Sequence, residues 1–121
     1  MPARLRRGDP AAVAAARDRW TRGDAARDDV RLLVKDTLAA LSERAPGSAV
    51  EVRVPPYAAV QVVGGTTHKR GTPPAVVETV AETWLALALG QRSWHDAVAA
   101  GEVLASGERS DLSGLLPLEQ P

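Results

Sequence analysis

The sequence predicts an α+β protein: two helices, four strands, two more helices, a fifth strand and a last helix, in that order. Three observations lead to this fold class. Apolar residues recur at helical spacing through the first 45 positions, and after residue 49 the apolar period changes to two. Glycine or proline also lies at most of the junctions between these segments. A chain of 121 residues suits one domain with a single core.

Two helices are predicted before residue 46. The Asp9–Pro10 pair favours a helix start, because the carboxylate accepts from free backbone N–H groups and proline suits the first helical position. Gly23 ends this helix, and Asp24 is predicted to cap a second one that runs to about Ala45. Charged residues, Asp36 among them, lie largely off the apolar stripe. That stripe comprises Val13, Ala16, Trp20, Val30, Leu33, Val34, Leu38 and Leu41.

The strands are predicted from alternation and from turn residues. Val50, Val52 and Val54 point to one side, while Glu51 and Arg53 point to the other, as in a strand with one solvated face. The third strand is polar on both faces, which places it at a sheet edge. The first four strands are expected over 50–54, 57–63, 66–70 and 75–80, with turns at Pro55-Pro56, Gly64-Gly65 and 71–74.

The last third of the chain alternates helices with tight turns. A helix over 82–89 is expected to end at Gly90, and Ser93 has the spacing of an N-cap for a helix that ends before Gly101. The fifth strand is predicted over 102–106, followed by a last helix over 111–118. We expect residues 1–8 to be a flexible tail, residues 9–118 a single domain and residues 119–121 a second tail.

Composition excludes several classes of function. Fifteen basic residues balance fifteen acidic ones, so no net charge attracts nucleic acid or an anionic membrane. No apolar run is long enough for integral membrane contact. Cysteine is absent, which excludes thiolate metal sites and thiol nucleophiles and suits a reducing compartment, so we expect a cytoplasmic location. Phenylalanine is absent too, so the core is expected to be aliphatic, with Trp20, Trp84 and Trp94 as its large side chains.

No catalytic, metal or cofactor motif is present. His68 and His95, the two histidines, lie on different predicted elements without a ligand spacing. Ser93 and Asp96 flank His95, but this pattern is better interpreted as a helix cap and its first turn than as a triad. We therefore expect a non-enzymatic protein with no cofactor and no bound metal.

Several stretches resemble a known family. TWLALALG, SWHDAVAAG and EVLASGERSDLSGLLPL follow one another as do the last elements of the sterol carrier protein 2-like superfamily. VEVRVPPYAAVQVV and HKRGTPPAVVET are more similar still to small bacterial, mainly actinobacterial, orthologues of that superfamily. The likeness covers about Asp24 to Leu118. The C-terminal succession is also similar to the small domain of mycothiol-dependent maleylpyruvate isomerases.

The resemblance implies a curved five-stranded, mainly antiparallel sheet with helices packed on one face. It also implies an apolar cavity between sheet and helices, and a non-enzymatic domain that carries an apolar small molecule or lipid there. The alternative is a ligand-free scaffold of the same fold, with a protein partner or a homodimer. If the cavity exists, its predicted lining is Val60, Val62, Trp84, Leu87, Trp94, Leu104, Leu112, Leu115 and Leu116.

Three features have two interpretations each. His68, Lys69 and Arg70 either protect a sheet edge, which we favour, or contact an anionic headgroup. The tryptophans at 84 and 94 are either core or cavity lining. The leucines at 115 and 116 are either part of the core or a mobile lid over a pocket.

Overall fold

The computed structural model describes residues 5–65 and 75–118 of the chain. The predicted third strand, over 66–70, lies outside these residues. The described part has the α+β character that the sequence predicts. Its elements are α1 (Pro10–Thr21), α2 (Arg27–Arg44), β1 (Val50–Val54), β2 (Ala58–Val62), β3 (Ala75–Glu78), α3 (Ala81–Ala88), α4 (Trp94–Ala99) and β4 (Leu104–Ser106).

The four described strands form one mixed sheet in the order β2-β1-β3-β4. β1 is antiparallel to β2, with Val52 opposite Val60, and parallel to β3, with Val52 opposite Val77. β4 is antiparallel to β3. Because β1 and β3 run in the same direction, the segments that follow them begin at the same edge of the sheet.

One face of the sheet carries the core. In β1 the burial alternates, with Val50, Val52 and Val54 fully buried and Arg53 exposed between them. Helices α2 and α3 contribute their apolar sides to the same cluster. Trp84 of α3 is fully buried, and its indole N–H donates to the Thr37 hydroxyl of α2 at 2.8 Å. A buried polar group must be paired in this way, so the two helices are held in one relative position.

The starts of α1 and α4 agree with the sequence, and the start of α2 differs. Asp9 caps α1 by accepting from the backbone N–H of Ala12, and Ser93 caps α4. α2, however, begins at Arg27 and not after Asp24, so the prediction of an Asp24 cap is wrong. The backbone N–H of Asp24 instead donates to the Arg19 carbonyl and continues the turn that ends α1. The carboxylate of Asp29 accepts from the N–H of Ala26 and stabilises the start of α2.

Arg7 and Gly8, which the sequence places in a tail, contact α2. Asp36 is 3% exposed, although the charged residues were expected to lie largely off the apolar stripe. Its carboxylate accepts from the Arg7 guanidinium at 2.9 Å and from the Gly8 backbone N–H at 2.8 Å. These contacts explain the burial, since a buried carboxylate requires charged and hydrogen-bonding partners.

The predicted C-terminal helix over 111–118 is wrong. The segment makes a turn in which the N–H of Leu115 donates to the carbonyl of Leu112. Gly114 and Pro117 explain the difference, because both disfavour a helix interior. The segment is nevertheless anchored, since Leu112 is buried and the N–H of Leu118 donates to a carbonyl at the end of α3.

Among the helices of the described residues, none is both long enough and apolar enough to span a membrane.

Candidate functional site

A groove opens at the edge of the sheet where β1 and β3 both end. The turn from β1 to β2 forms one side, and the first turn of α3, which follows β3, forms another. The end of α1 and the start of α2 complete it. This side groove has a volume of about 670 Å³ and is lined by Trp20, Gly23, Ala25, Val30, Pro55, Tyr57, Val80, Ala81 and Glu82.

The lining is mostly apolar. Trp20 and Tyr57 are half-buried, pack against the main core and line the groove. The chain contains three tryptophans, one tyrosine and no phenylalanine, so two of its four aromatic side chains line this one feature. A concave, apolar surface with a few polar groups is the usual form of a small-molecule site.

Val80 is the least expected residue of the groove. It occupies the N-cap position of α3, where serine, threonine, aspartate or asparagine would satisfy a free backbone N–H. Its side chain makes no capping hydrogen bond and is 62% exposed. Valine therefore stabilises neither the helix start nor the core, and such breaks of local rules are most common at functional positions.

Two polar contacts fix the wall formed by α1. The indole N–H of Trp20 donates to the side-chain carbonyl of Gln91 at 3.2 Å, which ties the end of α1 to the connection between α3 and α4. The Arg19 guanidinium makes two hydrogen bonds to Asp29, at 2.7 and 2.9 Å. These bonds, with the N–H of Ala26, lower the pKa of Asp29 to about 2. The hydrogen bonds to Asp29 also raise the pKa of Arg19.

Glu82 is the charged member of the lining. It lies in the first turn of α3, is exposed, and within the described residues its carboxylate makes no hydrogen bond or ion pair. No arginine, lysine or histidine is among the described residues that line the groove. The groove therefore combines apolar and aromatic surface with one negative charge.

Most of the predicted cavity lining belongs to the core and not to this groove. None of the nine predicted residues is among the described residues that line it. Val62, Trp84, Leu87 and Leu112 are fully buried in the main cluster. The partly buried members pack against the same cluster, and these are Val60, Trp94, Leu115 and Leu116.

Leu104 lies apart from the other eight. It is 68% exposed and stands opposite Glu78 in the register of β3 and β4, on the face of the sheet away from the core. Val103, one position earlier, is buried. Side chains alternate between the two faces along a strand. Since the Val103 side chain points to the core, that of Leu104, the next residue, points to the outer face.

The remaining candidates are not part of the side groove. His68, Lys69 and Arg70 lie outside the described residues. Ser93 accepts from the backbone N–H of Asp96 at 3.0 Å, as a helix cap does, and His95 is exposed in the first turn of α4. Within residues 5–65 and 75–118, no three carboxylates or histidines are grouped closely enough to hold a metal ion.

Sequence reasoning missed the groove because it assigned Trp20 to the core, Pro55-Pro56 to a turn and Tyr57 to the second strand. Two signals were present. Tyr57, the one tyrosine of the chain, directly follows the Pro55-Pro56 turn. Val80 takes an N-cap position for which its side chain is unsuited.

A family of known proteins matches most of the chain. Residues 26–118 match the model of a protein family described as "Bacterial SCP ortholog", which covers more than half of the chain. No curated protein matches the chain at a significant level.

Proposed function

The chain belongs to the family of bacterial SCP orthologs, and from this membership we propose that it is a non-enzymatic carrier that binds an apolar or lipid-like ligand in the side groove. Members of this family are lipid-carrier-type domains, typically without catalytic activity. The sequence-based proposal placed the ligand between sheet and helices. That space holds Trp84 and the buried leucines of α2 and α3, so the side groove is the better location.

The observation that carries this proposal is the lining of the groove. Its volume of about 670 Å³ falls within the range of roughly 300–1,000 Å³ that is typical of small-molecule sites. Trp20, Tyr57 and Val80 present apolar surface that remains partly in contact with water. Covering this surface with an alkyl chain removes apolar area from water, which favours binding by about 25 cal/mol per Å².

The test is binding of Nile red, an uncharged fluorescent probe of apolar sites, to the wild-type chain and to Val80→Ser. Loss of the valine methyl groups should weaken binding by about tenfold, since burying a valine side chain contributes about 1.5 kcal/mol. Serine at an N-cap also accepts a backbone hydrogen bond, so the variant should be at least as stable as the wild type. Weaker binding therefore cannot be attributed to unfolding.

The matched control is Val98→Ser. Val98 lies in α4, is 41% exposed and is not among the residues that line the groove. Its replacement should leave Nile red binding unchanged. A wild-type chain that does not bind the probe, or equal binding by all three proteins, would contradict the proposed site.

A second candidate function is a protein-interaction domain. Leu104 is 68% exposed on β4, which lies at an edge of the described sheet, and edge strands are sites of association between chains. Sedimentation velocity distinguishes this candidate. A dimer that Leu104→Ser dissociates would favour it, whereas a concentration-independent monomer would not.

A further inference from the structure

We propose that the ligand of the side groove is an amphiphile with a cationic, ammonium-type head, and that Glu82 selects that charge. This inference rests on the proposed function, because it names the class of ligand for the same groove. Glu82 is the ionisable acid among the described lining residues, and none of them carries a positive charge.

The carboxylate of Glu82 is available to a ligand. Several other acids of the molecule are already paired, for example Asp29 with Arg19 and Glu102 with Arg92. Glu82 has no such partner within the described residues, and it is exposed at the groove. An ammonium group beside it would gain a favourable Coulomb interaction. A carboxylate or phosphate head beside it would meet repulsion from the full charge of Glu82, which the partial positive charge of the free backbone N–H groups at the start of α3 offsets only in part.

The basic residues near the groove do not offset this preference. Arg19 and Arg22, at the end of α1, are paired with Asp29 and Asp18. Arg27, the first residue of α2, is exposed and is not among the described residues that line the groove. Residues 18–29 contain four acidic and three basic side chains, and Glu82 adds a further negative charge at the same end of the molecule. An anionic head would therefore lack a free cationic partner along the described lining.

The aromatic lining supports the same class of ligand. Trp20 and Tyr57 both line the groove that Glu82 borders, and aromatic faces attract ammonium groups, tryptophan most strongly. The hydrogen bond from Trp20 to Gln91 holds the indole in place before a ligand arrives. The alkyl chain would contact Val30 and Val80, which are apolar members of the same lining.

The experiment compares two amphiphiles of the same chain length. Dodecyltrimethylammonium and dodecanoate, each below its micelle concentration, displace Nile red at about pH 8, where a carboxylate is ionised. In about 20 mM salt the wild type should bind the cation about three- to tenfold more tightly, the scale expected for one partly solvated charge pair. About 0.5 M salt should reduce this ratio toward one.

The variants assign the effect to Glu82. Glu82→Gln should bring the ratio close to one, and Glu82→Lys should reverse it, each ratio being taken from displacement at the variant's own measured Nile red affinity. Glu108→Gln is the matched control, because Glu108 is also exposed but is not among the lining residues. It should keep the wild-type ratio. Circular dichroism verifies that each variant is folded.

The outcomes separate the two proposals. If the wild type does not bind Nile red, the proposed function fails. If Nile red binds but the two amphiphiles compete equally, or dodecanoate competes better, the proposed function stands and the cationic ligand is refuted. A cationic preference that survives Glu82→Gln would refute the role of Glu82.

Discussion

Leu87 and Leu104 show how much the effect of one residue depends on its burial. Leu87 is 1% exposed and packs in the core, whereas Leu104 is 68% exposed on the outer face of the sheet. Leu87→Ala should lower the free energy of unfolding by about 2–5 kcal/mol, since it leaves a cavity. Leu104→Ala, the control, should change it by less than about 0.5 kcal/mol. Urea unfolding followed by circular dichroism measures both, and equal effects would contradict the burial difference.

Asp29 gives the molecule a pH-dependent contact at the residue scale. Hydrogen bonds from Arg19 and from the N–H of Ala26 lower its pKa from an ordinary value of 3.8 to about 2. A lowered pKa in the folded state means that the contact stabilises the protein above about pH 4. This stabilisation is lost as the pH falls through about 2, because the carboxylate becomes protonated.

Asp29→Asn tests this contact. The wild type should be more stable than the variant at about pH 6, and the difference should shrink as the pH falls from about 4 to about 2. Asp28→Asn, which removes an exposed carboxylate from the same helical turn, should change the stability at about pH 6 by less. Thermal unfolding over this pH range measures the differences. A difference that grows on acidification would show that the sign of the linkage is wrong.

At the scale of the elements, the C-terminal segment is held by side-chain packing and not by helix formation. Leu112 is 1% exposed, and Leu115 is partly buried against the same core. Leu112→Ala should therefore cost about 2–5 kcal/mol of stability, and Leu115→Ala should cost less. Denaturant unfolding of both variants gives the comparison. If Leu112→Ala were as stable as the wild type, the segment would be a loosely attached lid and not part of the core.

The elements that the sequence predicts best are those with a clear period and a clear end. α1 has Asp9 and Pro10 at its start and Gly23 just beyond its end, and β1 alternates through 50–54. The last segment has the period but no clear end. Its leucines satisfy the helical spacing, but Gly114 and Pro117 make a turn more favourable. The outward position of Leu104 was also unpredictable, since three residues of β4 are too few to fix the register.

The site was less predictable than the elements because a groove is a property of how the elements pack. Trp20 and Trp84 are both apolar helix residues in the sequence, yet Trp84 is fully buried and Trp20 faces a groove. The difference arises from the parallel arrangement of β1 and β3, which brings the turn after β1 and the start of α3 to one edge. That pairing joins residues about 25 positions apart and has no local signal in the sequence.

At the scale of the whole molecule, α1 completes both the core and the groove, although it precedes the region that matches the family. The match begins at residue 26, whereas Val13 and Ala16 of α1 are buried in the core and Trp20 lines the groove. A chain that lacks residues 1–22 should expose the side of α2 that these residues cover. We expect it to lose at least about 2 kcal/mol of stability, because burying one valine alone contributes about 1.5–3 kcal/mol.

Measuring the contribution of α1 to binding requires a variant that stays folded. Trp20→Leu keeps an apolar side chain and removes the ring and its hydrogen bond to Gln91, so the fold should persist while Nile red binding weakens. Val98→Ser again serves as the control, since Val98 lies outside the groove lining. Probe titration and thermal unfolding of the truncated and substituted chains give the two readouts. If the chain without residues 1–22 unfolded at the wild-type temperature and bound the probe equally well, α1 would be dispensable, and the groove would have to be formed by the residues from Gly23 onward.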